Sequence, residues 1–267
     1  MSCFLAAAVQ MDSREDKEEN LKEAAGLIDE AVSKGAKLIV LPELFNYLGP
    51  GMADWEHAEA IPGPSTEVIA GKAKQHGVYI VGGSILERVE DSKKTYNTSA
   101  VFAPSGEIIA LYRKIHLYDV DVEDGPKSLE SKYRLPGRET VCTSTSLCTL
   151  GLSICYDLRF PELYRSLSAK GAQVITASAY FARGTGKDHW ELLVRARALE
   201  NQAYMIAANQ IGLKKPFEAH GHSMIVDPWG RIIAENKQGV GITLAEIDLN
   251  YLIKVRTELP ALKHRSM

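Results

Sequence analysis

The chain of 267 residues lacks three features that would place it in a functional class at once. No apolar run approaches the ~20 residues that a membrane-spanning helix needs, so we predict no membrane partner. Lys and Arg (31) do not outnumber Asp and Glu (34), so the chain lacks the basic excess of nucleic-acid-binding proteins. The opening Met-Ser-Cys-Phe-Leu-Ala-Ala-Ala-Val lacks a basic leader, which predicts a first strand and a cytoplasmic protein.

Cysteine is scarce, and its spacing offers no Cys-x-x-Cys motif for a metal or a redox pair. The four cysteines are Cys3, Cys142, Cys148 and Cys155, and we expect all of them to be reduced thiols. Linkers, internal repeats and low-complexity segments are also missing. Hydrophobic residues make up 45% of the chain, which is enough for a sizeable core. These properties predict a single domain over residues 1–267.

Helical and strand-like segments alternate along the chain, which predicts an α/β fold. Apolar residues recur with helical spacing in Lys17–Ser33 and Gly35 follows them, so we predict a helix there. Pro-Ser-Gly at 104–106 is a hairpin signal, which predicts a mixed sheet. The other predicted helices are 64–76, 161–169, 188–201 and 249–256; the predicted strands are 4–10, 37–41, 78–85, 96–103, 107–113, 150–154, 173–178, 204–209, 222–226, 231–234 and 242–247; a long loop is predicted at 119–140.

Three polar residues stand where predicted strands end, namely Glu43, Lys114 and Cys155. Ligand sites in α/β sheets collect at such strand ends. A thiol is a weak nucleophile until it loses its proton, and a carboxylate within hydrogen-bond reach can accept that proton. An ammonium group can stabilise the oxyanion that forms when a carbonyl is attacked. The three residue types therefore fit a thiol hydrolase, although their spacing alone does not join them into one site.

Three other interpretations are open from the residues alone. Cys155 has the partners of a Cys–His–Asp triad in His116 and Asp157. His220 and His222 form a His-x-His pair, which in a strand would point two imidazoles to one face as in a metal site, but no third ligand has convincing spacing. The third interpretation is a catalytically silent metabolite-binding scaffold, which we would expect to have lost one of the polar residues at the strand ends.

Three segments give the sequence a family resemblance. Leu-Pro-Glu at 41–43, Tyr-Arg-Lys-Ile-His-Leu at 112–117 and Cys-Tyr-Asp-Leu-Arg-Phe-Pro-Glu at 155–162 resemble the signature segments of the nitrilase superfamily of carbon–nitrogen hydrolases. Tyr-Asn-Thr at 96–98 is among the further similar segments, and the resemblance extends over 4–260. It implies a four-layer α-β-β-α sandwich in which two mixed sheets pack face to face.

The resemblance also implies a role for each catalytic residue. Glu43 resembles the general base, Lys114 the lysine that stabilises the oxyanion, and Cys155 the nucleophile. Glu130 resembles a second glutamate that supports catalysis, and the backbone N–H of Tyr156 corresponds to the other oxyanion donor. The resemblance implies no cofactor, because thiol and water suffice for the reaction, and it implies at least a homodimer.

Within the superfamily, the chain resembles the branch of omega-amidases and deaminated glutathione amidases, through His-Trp-Glu at 189–191 and Ile-Pro-Gly at 61–63. This branch implies hydrolysis of the terminal carboxamide of a small 2-oxo acid, such as 2-oxoglutaramate or deaminated glutathione. A substrate carboxylate needs a cation or several donors, and we predict Arg183 and Thr185 for this role. Arg183 and Lys187 depart from the branch, so nitriles and N-carbamoyl amines stay open as alternative substrates.

Overall fold

Two large β-sheets form the centre of the computed structural model, which describes residues 3–123, 125–214 and 217–266. The strands are, in chain order, β1 (Cys3–Gln10), β2 (Leu38–Val40), β3 (Tyr79–Val81), β4 (Ile85–Arg88), β5 (Thr95–Phe102), β6 (Ile108–Arg113), β7 (Asp119–Asp121), β8 (Lys127–Leu129), β9 (Cys142–Ser144), β10 (Thr149–Ile154), β11 (Val174–Ala179), β12 (Tyr204–Asn209), β13 (Ile211–Leu213), β14 (Glu218–His220), β15 (Ser223–Val226), β16 (Ile232–Asn236) and β17 (Gly241–Asp248). The α-helices are α1 (Lys17–Ser33), α2 (Asp54–His57), α3 (Pro64–His76), α4 (Pro161–Ala169), α5 (Arg183–Asn201) and α6 (Leu249–Glu258). Within these ranges, every helix is too short or too polar to cross a membrane.

Both large sheets are mixed. The first has the strand order β17-β1-β2-β3-β5-β4, with β6 also paired to β5, and the second has the order β16-β15-β12-β11-β10-β9. The run β1-β2-β3 is parallel, and so is β10-β11-β12. The remaining neighbours in these sheets are antiparallel. The prediction of an α/β fold with mixed sheets is therefore confirmed.

Alternate side chains of β1 enter two different cores, because successive side chains of a strand point to opposite faces of the sheet. Ala6 and Ala8 pack in the core that joins the two sheets. Ala7 and Val9 pack on the other face, in the core that includes Ile28 of α1 and residues of α3. Helices α4 and α5 cover the outer face of the second sheet. The order helix, sheet, sheet, helix confirms the four-layer sandwich.

Local signals in the sequence fix the ends of α1 and α3. The carboxylate of Asp16 accepts hydrogen bonds from the backbone N–H groups of Glu18 and Glu19, at 2.9 and 3.1 Å, and so caps the start of α1. Gly77 ends α3 with φ of 62°, and its N–H donates to the carbonyl oxygen of Ala73. The observed helices Lys17–Ser33 and Pro64–His76 match the predicted ones.

The predicted strand 78–85 is interrupted in the structure. Strand β3 ends at Val81 and β4 begins at Ile85. Between them Gly83 has φ of +53°, and a β-carbon there would lie 2.1 Å from the carbonyl oxygen of Pro42. The break lets the chain pass closely under the segment that carries Glu43, which only glycine permits.

The structure contains four elements that the sequence did not predict, namely α2, β9, β13 and β14, and it differs from the prediction at 119–140 and at the start of α5. The predicted loop 119–140 contains the hairpin β7–β8 and a 3₁₀ turn at Glu130–Lys132. Helix α5 begins at Arg183, five residues before the predicted start at 188. The sequence predicted a later start because the first turns contain glycines, which are poor helix formers. Position 186 requires glycine because His220 packs closely against it. A β-carbon at this position would lie 2.4 Å from the ring of His220.

Candidate active site

A cleft of about 270 Å³ opens where strands of both sheets end. Lys114 directly follows β6, Cys155 directly follows β10, and Glu43 lies three residues after β2. Glu130 begins the 3₁₀ turn after β8. All four line the cleft, and none is more than 7% exposed. The structure therefore brings the four predicted catalytic side chains into one buried site.

Hydrogen bonds between the two sheets fix the backbone around the cleft. Ser178, in β11 of the second sheet, donates its hydroxyl hydrogen to the carbonyl oxygen of Leu41 at 2.8 Å. The side-chain amide of Gln210 donates to the carbonyl oxygen of Glu43 at 2.9 Å. The backbone N–H of Tyr180 donates to Glu43 Oε2 at 2.8 Å. The position of the Glu43 carboxylate thus depends on residues from both sheets.

Cys155 occupies a strained turn, because its φ of +49° lies in the left-handed region that non-glycine residues rarely adopt. The carboxylate of Asp157 holds this turn. Its Oδ2 accepts hydrogen bonds from the backbone N–H of Ile154 at 2.9 Å and from the hydroxyl of Tyr112 at 2.6 Å. Its Oδ1 accepts from the backbone N–H of His116 at 3.1 Å. Strain of this kind clusters at functional sites.

Lys114 lies between two carboxylates. Its Nζ is 3.0 Å from Glu43 Oε1 and 2.9 Å from Glu130 Oε2. Burial alone lowers the pKa of Lys114, but Glu130 and Glu43 outweigh it and raise the pKa above its ordinary value. Asn97 Nδ2 donates to Glu43 Oε1 at 2.7 Å, so donors hold both oxygens of this carboxylate. The two carboxylates therefore favour the charged form of the Lys114 ammonium, which lies beside an oriented carboxylate.

The surroundings of Cys155 favour the protonated form of its thiol. Burial raises its pKa well above the ordinary value, and the Glu43 carboxylate raises it further, whereas the Lys114 ammonium lowers it. The thiol donates to the carbonyl oxygen of Tyr180, at an Sγ···O distance of 3.5 Å. A protonated thiol needs a base before it can attack, and the Glu43 carboxylate, which acts on the pKa of this thiol, is the acidic side chain placed to serve as one.

The chain resembles a known protein family over most of its length. The family described as carbon-nitrogen hydrolase matches residues 5–257. The chain belongs to the carbon–nitrogen hydrolase family. It is 45% identical to a deaminated glutathione amidase from Synechocystis and 42% identical to the omega-amidase NIT2 of Danio rerio, and it covers 99% and 95% of these proteins. In both cases 99% of this chain is aligned.

The fold of this hydrolase also matches solved structures. Nit3 of Saccharomyces cerevisiae, described as a member of branch 10 of the nitrilase superfamily, superposes with a TM-score of 0.90 at 34% identity. The match covers 100% of this chain and 97% of Nit3. The chain is therefore a hydrolase of carbon–nitrogen bonds other than peptide bonds, as its sequence predicted.

The His116–Asp157 pair of the alternative triad lies outside the catalytic cleft of the hydrolase. His116 Nδ1 is 2.7 Å from Asp157 Oδ1, and the imidazole stacks on the ring of Phe160 at 3.7 Å between centroids. Among the described residues that line the cleft, neither member of the pair is present. These contacts indicate that the pair supports the turn at Cys155.

The His-x-His pair is engaged in contacts of its own. The rings of His220 and His222 stack with centroids 4.6 Å apart, and His222 Nδ1 is 2.7 Å from Glu235 Oε1. Burial and the neighbouring His222 lower the pKa of His220 to about 4. Across 3–123, 125–214 and 217–266, no three His, Cys, Asp or Glu side chains are grouped to hold a metal ion.

The structure places Arg183 and Thr185 away from the cleft lining. Arg183 is the first residue of α5, and its guanidinium pairs with Glu218. The hydroxyl of Thr185 donates to the carbonyl oxygen of Ala182 at 3.4 Å. Neither is among the described residues that line the cleft. The early start of α5 explains why Arg183 does not line the cleft. The residue predicted to bind the substrate carboxylate lies in the first helical turn instead of in a loop.

Sequence reasoning missed several residues that line or support the cleft of the hydrolase. The cations Lys127 and Arg134 both line it, and they flank Glu130 in the segment predicted as a loop. Tyr118 and Phe217 contribute aromatic rings to the lining. The one available signal was sequence proximity to Glu130, because a loop that carries one predicted site residue brings its neighbours to the same place.

Proposed function

We propose that this carbon–nitrogen hydrolase cleaves the terminal carboxamide of a small 2-oxo acid and releases ammonia. The observation that carries the proposal is the placement of the Lys114 ammonium between Glu43 and Glu130, beside the buried thiol of Cys155. The names of the related amidases support the choice of substrate class. A cleft of about 270 Å³ fits a small ligand.

The first half of the reaction forms a thioester. Glu43 accepts the thiol proton, and Cys155 Sγ attacks the carbon of the carboxamide. Negative charge develops on the carbonyl oxygen, where Lys114 Nζ and the backbone N–H of Tyr156 stabilise it. Glu43 then returns the proton to the leaving nitrogen, the C–N bond breaks and ammonia departs.

The second half hydrolyses the thioester. A water molecule enters, and Glu43 accepts one of its protons while the oxygen attacks the thioester carbon. The C–S bond breaks, Cys155 recovers its proton from Glu43, and the carboxylic acid leaves. Throughout both halves Glu130 keeps the Lys114 ammonium in place. The reaction uses thiol and water alone, so we propose no cofactor.

We propose that Lys127 replaces Arg183 as the cation that meets the carboxylate of the substrate. Its side chain lines the cleft and is 69% exposed, and it pairs with Asp121, which is 78% exposed. An exposed ion pair contributes little stability, so a substrate carboxylate can take the place of Asp121 at small cost. We expect Lys127→Gln to raise KM for an acidic amide and to leave KM for a neutral amide unchanged.

An ammonia-release screen tests the substrate class. Wild-type protein is compared on 2-oxoglutaramate, deaminated glutathione, an aliphatic nitrile, an N-carbamoyl amine and butanamide. We expect kcat/KM to be largest for one of the first two substrates, because both present a terminal carboxamide and a distant carboxylate. Activity on the nitrile or the N-carbamoyl amine alone would contradict the amidase proposal and would retain the thiol chemistry.

We also propose that the protein works in the cytoplasm as a homodimer or a larger homo-oligomer. Large apolar side chains are exposed on α5 and near it, among them Leu192, Leu199 and Trp229, which are 68%, 50% and 44% exposed. Apolar surface of this kind marks protein interfaces. Light scattering during size exclusion is expected to give at least twice the chain mass of 29.3 kDa. Cell fractionation checks the location, and a monomer would contradict the assembly.

A further inference from the structure

The row of buried charges in the cleft does not end at Glu130. Arg134 donates from Nη1 to Glu130 Oε1 at 2.7 Å, whereas Lys114 Nζ donates to Oε2 of the same carboxylate at 2.9 Å and to Oε1 at 3.3 Å. Arg134 Nε donates to Asp54 Oδ2, also at 2.7 Å. Asp54 is 2% exposed, and both new residues line the cleft. The charges alternate along the row Glu43, Lys114, Glu130, Arg134 and Asp54.

We propose that Arg134 is a positioning residue for the reaction of this hydrolase. Asp54 holds the guanidinium of Arg134, and the guanidinium fixes the carboxylate of Glu130. Glu130 in turn holds the Lys114 ammonium beside Cys155. The inference rests on the amide hydrolysis proposed above, and it gives a role to two residues that have none in that mechanism.

The geometry requires a guanidinium. Its planar fork presents Nε and Nη1 in fixed directions, so one side chain can bind two carboxylates at once, which a lysine ammonium does not do with the same rigidity. The backbone of the segment is equally fixed. The N–H of Arg134 donates to the carbonyl oxygen of Glu130 at 2.9 Å, and the N–H of Leu135 donates to the carbonyl oxygen of Thr95 in β5 at 2.8 Å. The guanidinium therefore starts from an anchored position.

Charge balance argues against Arg134 as the partner of a substrate carboxylate. The row contains three carboxylates and two cations, so its formal charge is one negative unit. An anionic substrate group beside Arg134 would also face Glu130 and Asp54 in a poorly solvated site, where repulsion between like charges is strong. A substrate carboxylate at the exposed Lys127 would stay in contact with solvent, which weakens repulsion between like charges. Arg134 is thus occupied by its two protein partners.

The ionisation of Glu130 depends on this arrangement. Burial by itself raises the pKa of Glu130, but Lys114 and then Arg134 outweigh burial and lower the pKa to about 2. The groups that face Glu130 are Lys114 from the end of β6, Arg134 from its own segment, Asp54 from α2 and the backbone N–H of Tyr118. Loss of Arg134 removes one of the two cations, so the pKa of Glu130 rises.

The direction of the pH effect follows from this shift. Glu130 holds Lys114 as a carboxylate, so activity is lost when pH falls through the pKa of Glu130. In the wild type this loss lies far below neutrality. In Arg134→Gln the acid limb of the kcat profile moves to higher pH. A lysine at position 134 restores a positive charge beside Glu130, so Arg134→Lys moves the limb back.

The experiment compares Arg134→Gln, Arg134→Lys, Asp54→Asn and the double variant Asp54→Asn/Arg134→Gln. The matched control is Arg113→Gln, which breaks an Arg–carboxylate pair with Glu87 of 2.6 Å directly before Lys114 and outside the row. The kinetic constants kcat and KM are measured from the lowest pH at which each protein stays folded up to pH 9, on the best substrate of the ammonia screen and on butanamide. Calorimetry checks that each variant is folded.

We expect Arg134→Gln to lower kcat by about 10²-fold, because a small misplacement of a catalytic group costs that much. We expect KM to change by less than about threefold on both amides, because binding contacts stay intact. Asp54→Asn lowers kcat less, and the double variant loses less than the product of the single losses, since both residues act through Glu130. Arg134→Lys recovers part of kcat together with the acid limb, and Arg113→Gln keeps the wild-type profile.

Three outcomes would overturn the inference. A rise in KM for the acidic amide alone, with kcat unchanged, would make Arg134 a substrate anchor. A loss of kcat without any shift of the acid limb would make its role purely structural. Hydrolysis of none of the screened compounds by the folded wild type would overturn the proposed function and the inference together. If the wild type hydrolyses butanamide but neither acidic amide, only the substrate class is contradicted, and the kinetics on butanamide decide the role of Arg134.

Discussion

Replacing Cys155 with alanine is expected to abolish ammonia release from every amide substrate, because no other nucleophile replaces the thiol in the proposed thioester route. The fold is expected to survive. The turn has φ of +49°, in the left-handed region that alanine and cysteine disfavour alike. The substitution therefore adds no backbone strain. Removing one buried sulfur should lower the free energy of unfolding by no more than about 2 kcal/mol.

Cys148→Ala is the matched control for this prediction. Cys148 is also 6% exposed and its thiol is also free, but it lies away from the cleft lining. The control is expected to lose a similar amount of stability and to keep its activity. Intact mass after brief exposure of the wild type to substrate should show a thioester that Cys155→Ala lacks. Residual turnover by Cys155→Ala above that of a boiled sample would refute the nucleophile assignment.

Lys114→Ala is expected to lower kcat by at least about 10²–10³-fold, the usual effect of removing one oxyanion donor. It should also destabilise the fold, because Glu43 and Glu130 would be left as two buried carboxylates without their shared cation. Breaking a buried ion pair by removing one partner typically costs about 3–5 kcal/mol. Lower stability and lower kcat therefore occur together in this variant, and kinetics must be measured well below its unfolding temperature.

His116→Ala is the informative comparison for Lys114→Ala. His116 stacks on Phe160 and contacts Asp157, so its loss should weaken the support of the Cys155 turn and reduce activity much less than loss of the lysine. Parallel measurements of kcat/KM on one amide at several pH values separate the two cases. A larger loss in His116→Ala than in Lys114→Ala would favour the Cys–His–Asp triad.

The predicted catalytic residues share a property that a sequence can reveal. Glu43, Lys114 and Cys155 stand at strand ends, and strands are recognised from local patterns, although the spacing of the three residues did not join them into one site. Their signature segments then identified them as a set. The structure agrees with the family fold for the same reason, since alternating local elements leave few ways to pack two sheets and their helices.

Residues that reach the cleft through tertiary contacts were beyond this reasoning. Arg134 and Asp54 are 80 positions apart in the chain, and nothing local in either segment indicates that they pair. Asn97 lies inside β5, and from the sequence alone a polar side chain in a strand is expected at the surface. In the structure it is buried against Glu43. Arg183 is the opposite case, because its segment leaves the correct sheet edge, but α5 starts at that residue and directs it to Glu218.

The cross-sheet hydrogen bonds from Ser178 and Gln210 have a consequence for how the enzyme is aligned. Glu43 and Lys114 follow strands of one sheet, whereas Cys155 follows a strand of the other. The distance between the Cys155 thiol and the Glu43 carboxylate therefore depends on how the two sheets are positioned against each other. The side chains that fill the space between the sheets set this position. A shift of one sheet against the other by a fraction of an ångström would change the distance between Cys155 and Glu43 while each sheet kept its own shape. Packing between the sheets therefore sets the geometry of the site.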